Sequence, residues 1–77
     1  MKTSEVNENM IGKRVECLVS GFKRTGIVTG LIDNQWTKGV IVMLDKPLQC
    51  ADDTFTRWHS TARKTDDFGN LQKTRLI

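Results

Sequence analysis

The chain has 77 residues, 12 Lys and Arg against 9 Asp and Glu, and a formal charge of +3. Chains of about this size fold as one domain with a small core, which leaves little room for a buried multi-step active site and favours a binding module. No apolar run reaches the roughly 18 residues of a membrane span, and "MKTSEVNENM" lacks a secretory apolar stretch, so the sequence reads as a cytoplasmic protein without membrane association. Acidic and basic residues cancel over residues 1–56, and the whole cationic excess lies in residues 57–77. An anionic partner is therefore expected at the C-terminal end.

In chain order, residues 1–10 are polar without a periodic apolar face and read as a flexible N-terminal arm. The domain proper is assigned to 11–77. "RVECLVS" (14–20) alternates Val15, Cys17 and Val19 with Arg14, Glu16 and Ser20, the period of a strand. "GIVTGLI" (26–32) and "GVIVML" (39–44) are β-branched runs opened by glycine. The connections "GFKRT" and "DNQWTK" have hairpin length and turn-forming residues. Pro47 has no amide hydrogen for a ladder, so pairing should break at "DKP", leaving "LQ" as a short edge segment and "CADDT" as a loop. Residues 55–77 read as a terminal β-hairpin around "DDFGN". Five short antiparallel strands in so short a chain point to a small all-β barrel, because closure removes exposed edges.

The stretch "SGFKRTGIVTG" (20–30) has the glycine gap of a phosphate loop at Gly21 and Gly26. Ile27 and Val28 stand where Lys and Ser/Thr are needed, and a strand follows where a helix is required, so a phosphate cradle is excluded. Gly30 is expected to mark a bulge or bend. Cys17 and Cys50 are far apart in sequence and His59 is the only histidine, which is not metal-ligand spacing; no metal and no cofactor is expected. Cys17, Cys50, His59 and Ser60 form no diagnostic catalytic pattern, and Asp52, Asp53, Asp66 and Asp67 fit turn roles. The chain reads as a non-enzyme.

Residues 12–30, "GKRVECLVSGFKRTGIVTG", resemble the opening of SH3-like small barrels, including KOW-type modules of ribosomal and elongation proteins. They are also similar to plasmid-borne type II dihydrofolate reductases at Val15, Ser20-Gly21, Gly26 and Ile27-Val28-Thr29-Gly30. The resemblance implies a five-stranded SH3-like barrel and, from the reductases, a remote enzymatic alternative. The chain has no tyrosine and no counterpart of the Val-Gln-Ile-Tyr segment that lines the reductase pore.

The terminal hairpin is the expected site. With Thr65 opposite Leu71, Arg63 faces Lys73, Thr61 faces Arg75 and His59 faces Ile77. Arg57, His59, Arg63, Lys73 and Arg75 then share one surface, with Trp58, Ala62 and Leu76 on the other. A one-residue slip brings Lys64 opposite Lys73. Facing like charges destabilise a hairpin unless an anion relieves them, which makes nucleic acid or a ribonucleoprotein the expected partner. Lys23, Arg24 and Trp36 are expected auxiliary contacts. The alternative is a protein-interaction accessory or inhibitor of phage or mobile-element type, favoured by the modest charge.

Overall fold

A computed structural model describes residues 1–77. Five strands form one antiparallel sheet: β1 (Arg14–Val19), β2 (Phe22–Asp33), β3 (Thr37–Cys50), β4 (Asp53–Arg63) and β5 (Arg75–Leu76), in the order β4-β3-β2-β1-β5. The first four strands run as a meander because each connection is short. Ser20 and Gly21 join β1 to β2 with φ of 51° and 88°, the left-handed pair that matches the twist of a two-residue hairpin. Between β2 and β3 the Asn34 side chain supplies the turn. Its Oδ1 accepts from the Trp36 amide at 3.0 Å, the Thr37 amide at 2.8 Å and the Thr37 hydroxyl at 3.0 Å.

The alternation read from the sequence sets the inner face. Val15, Cys17 and Val19 of β1, Val28 of β2, Val40, Val42, Leu44 and Leu48 of β3, and Ala62 of β4 are buried together. Gly39 is needed by packing, since a Cβ there would collide with the Ser60 carbonyl on β4. The register shifts between Val28 and Gly30, which places the expected bulge at Thr29. Strand β3 does not end at Pro47; it passes through an irregular stretch between Met43 and Leu48 and resumes pairing with β4.

The expectation of a closed SH3-like barrel is overturned. The sheet is open, with β4 at one edge and the two-residue β5 at the other. The expected C-terminal hairpin is also absent, because β4 pairs only with β3 while β5 crosses to β1, Leu76 opposite Val15 and Arg75 opposite Glu16. After Arg63 the chain folds back tightly: the Asp67 amide donates to the Arg63 carbonyl and the Arg63 amide to the Phe68 carbonyl. Only a single bridge, Ala62 to Gly69, touches β4 before a 3-10 turn at Asn70–Lys73 carries the chain away. That turn buries Leu71 completely. Thr74, also fully buried, places its hydroxyl 2.5 Å from that of Ser60. A straight hairpin strand would forgo this packing, so burial wins over local pairing.

The first ten residues pack against the C-terminal path. Two 3-10 turns, Thr3–Glu5 and Glu8–Met10, seat Val6 and Met10 in the same core as Leu71. The α-amino group of Met1 donates to the carbonyls of Leu71 at 3.1 Å and Thr74 at 2.6 Å, and the Thr3 amide donates to Asp67 Oδ1 at 2.8 Å. The N-terminal segment and the 70–73 turn thus brace each other across the inner face of the sheet.

Candidate functional site

Paired strand residues share a face, and the β3–β4 register sets Arg57 beside Met43, His59 beside Ile41, Thr61 beside Gly39 and Arg63 beside Thr37. Arg57, His59 and Arg63 therefore form a row on the outer face of an edge strand. Lys73 and Arg75 do not join it. Lys73 lies in the 70–73 turn, and Arg75 sits at the opposite edge with its Nε 3.0 Å from Glu16 Oε1. Lys64 leaves β4 and reaches Asp33 Oδ1 at 2.5 Å. Lys23 and Arg24 lie on β2 beside Leu18 and Cys17, with the Arg24 guanidinium 5.6 Å from the Phe22 ring centre.

The facing of like charges inferred from a hairpin is consequently corrected. Arg63 is 3.2 Å from Asp66, Lys64 and Arg75 are paired with Asp33 and Glu16, and Arg14 reaches Asp45 at 2.8 Å. No anion is required to relieve repulsion. Hydrogen bonding from Lys64 holds Asp33 below the usual carboxylate range, and hydrogen bonds from Thr25, then Arg14, do the same for Asp45. Burial, reinforced by Glu16, pushes the Cys17 thiol up, so this core cysteine is held as an unreactive thiol.

What the fold does bring together is aromatic. Trp36 is 68% exposed and Phe68 is 70% exposed, in separate turns that meet at one end of the sheet. The meeting is fixed by backbone: Lys64 donates its amide to the Trp36 carbonyl at 2.9 Å, and Arg63 donates its amide to the Phe68 carbonyl at 2.9 Å. The Arg63 guanidinium lies 5.3 Å from the Phe68 ring centre. Two residues with exposed aromatic rings are thus tied through their backbones to Arg63 and Lys64, with His59 and Arg57 continuing the row along β4. Phe68 was legible in "DDFGN" as a large aromatic inside a turn, the same signal that singles out Trp36.

Elsewhere, an open cleft of about 740 Å³ runs between the N-terminal turns and Gln72, Arg75 and Leu76. No cluster of three or more His, Cys, Asp or Glu side chains is arranged to hold a metal ion, and no helix is long and apolar enough to cross a membrane. A family model described as a domain of unknown function, DUF7258, matches residues 1–76. The chain belongs to the DUF7258 family. Comparison of this DUF7258 chain with curated proteins and with solved structures returned no match. The likeness of residues 12–30 to SH3-like barrels, KOW modules and type II reductases is accordingly a likeness of turn chemistry: the Ser20-Gly21 hairpin and the bulge before Gly30 arise here in an open sheet. The chain is a small, mostly β domain.

Proposed function

We propose that this DUF7258 domain is a binding module for single-stranded nucleic acid. The observation that carries the reading is the pair of exposed aromatic residues, Trp36 and Phe68, tied by backbone hydrogen bonds to Lys64 and Arg63 at one end of the sheet. An exposed indole and phenyl offer stacking platforms for unpaired bases, each worth about 1–3 kcal/mol, and neighbouring cations take the phosphates. A duplex hides its base faces, so unpaired strands suit this surface better. Arg63 and Lys64 already have carboxylate partners, and on an exposed surface such pairs are worth at most about 1 kcal/mol, so a phosphate can displace Asp66 or Asp33 at small cost.

Titration of labelled single-stranded and duplex RNA and DNA at two salt concentrations tests this reading. Single strands should bind more tightly than duplex, with log affinity falling against log salt by about 0.7 for each phosphate contacted. Absence of binding to any of them at low salt would remove the proposal.

A further inference from the structure

The edge of the sheet at β4 carries a second, independent feature. In an antiparallel ladder, successive residues direct their amide and carbonyl alternately to the two sides of the strand. Arg63 exchanges its amide and carbonyl with Phe68 and Asp67, on the side away from β3. Counting back in twos through the regular β3–β4 register, Arg57 and His59 direct theirs to that same open side. None of the backbone hydrogen bonds made outside the ladders involves either residue. The return of the chain at residues 66–70 covers the edge only as far as Ala62. Beside this bare stretch, the buried indole N–H of Trp58 has no acceptor, and its ring meets Phe55 edge to face, 5.8 Å between centres.

An exposed edge of this kind is normally blunted or covered. Its chemistry specifies what covers it. Amides and carbonyls alternate along it, so its occupant must offer acceptors and donors in alternation along an extended backbone; a sugar–phosphate backbone has no such alternation, and a polypeptide strand does. A second copy of this chain, paired antiparallel about Trp58, would set Arg57 opposite His59 of the other copy and bring two arginines to one small patch, with no acidic group between them. Arg57 makes no ion pair within the chain, unlike Arg14, Arg63, Lys64 and Arg75. Charge complementarity therefore selects an acidic strand.

We infer that the open β4 edge at Arg57–His59 is a strand-addition site for an extended protein segment that alternates acidic and apolar residues. Its carboxylates lie on the outer face beside Arg57 and His59. Its apolar residues lie on the inner face beside Trp58 and Phe55, where a backbone or side-chain oxygen of the added strand can accept from the Trp58 indole. Main-chain hydrogen bonds supply the affinity, and alternate side chains the selectivity.

The probe is a capped peptide alternating glutamate and valine, with a lysine–valine peptide as its opposite, titrated into the isotope-labelled full chain and followed by amide shifts. The glutamate peptide should bind and move the Arg57 and His59 amides, and the lysine peptide should bind at least tenfold more weakly. Arg57→Glu should weaken the glutamate peptide at least tenfold. His59→Pro removes an amide that faces away from β3, so the β3–β4 ladder should persist while binding is lost. Trp36→Ala with Phe68→Ala should leave peptide binding intact, which separates this site from the nucleic-acid surface. Equal binding of both peptides, unchanged binding by a folded His59→Pro chain, or self-association through β4 in sedimentation would overturn the inference.

Discussion

Ala51 holds a left-handed backbone, as Ser20 and Asp67 do, but without a polar side chain to support it. It is the first of the two residues joining β3 to β4 and has φ of 54°, a left-handed conformation that costs a residue with a Cβ about 1–2 kcal/mol. A glycine in its place would relieve that strain at an unfolded-state entropy cost of about 0.4–1 kcal/mol. Ala51→Gly should therefore stabilise the domain by about 0.5–1 kcal/mol, raising Tm by several degrees in a thermal melt. A lower Tm would show that the turn relaxes around alanine. The strain was illegible in "CADDT" because alanine gives no turn signal; the turn is imposed by the pairing of Cys50 with Asp53. Ser20-Gly21, by contrast, is legible because its glycine provides the positive φ that the hairpin demands.

Strand elements follow local alternation, and so β1, β2, β3 and the inner face of β4 could be read from Val15, Cys17, Val19, Val40, Val42 and Ala62. The path of the chain after Arg63 could not. Leu71 and Thr74, three apart, reach the core together only from a 3-10 turn, and Val6 and Met10, four apart, meet them from the other terminus; both arrangements depend on partners distant in sequence. The Ser60–Thr74 hydroxyl pair is the buried polar link between β4 and this C-terminal path. Ser60→Ala leaves the Thr74 hydroxyl with only a 3.5 Å approach to the Asn70 carbonyl and should cost about 1–3 kcal/mol in urea unfolding. Adding Thr74→Val removes the stranded hydroxyl, so the double variant should be more stable than Ser60→Ala alone. Simple additivity of the two losses would mean that the hydroxyls are not coupled.

At the scale of the molecule, three carboxylates tie distant segments together. Asp67 is held below the usual range by hydrogen bonds from Thr3, Asp45 by Thr25 and then Arg14, and Asp33 by Lys64. Each loses its proton more readily in the folded chain. Above the ordinary value of 3.8 both states are ionised and the stabilisation is complete; as pH falls below it the unfolded chain takes up protons first, and stability is lost until the folded groups also protonate. Denaturant midpoints should thus stay level with respect to these groups above that range and decline below it. Asp67→Asn should flatten the decline.

The same global path, with the chain turning back at residues 64–69, is what sets Phe68 beside Arg63, next to the Lys64 that bonds the Trp36 backbone, instead of on the tip of a hairpin. Affinity of a labelled single-stranded RNA for the Trp36→Ala, Phe68→Ala double variant, compared with the parent chain at one low salt concentration, tests that consequence most directly. Both rings are exposed, so the circular dichroism spectrum should be unchanged. Affinity should fall by more than about tenfold, given stacking worth about 1–3 kcal/mol per base. A folded double variant that binds the RNA as tightly as the parent would contradict it.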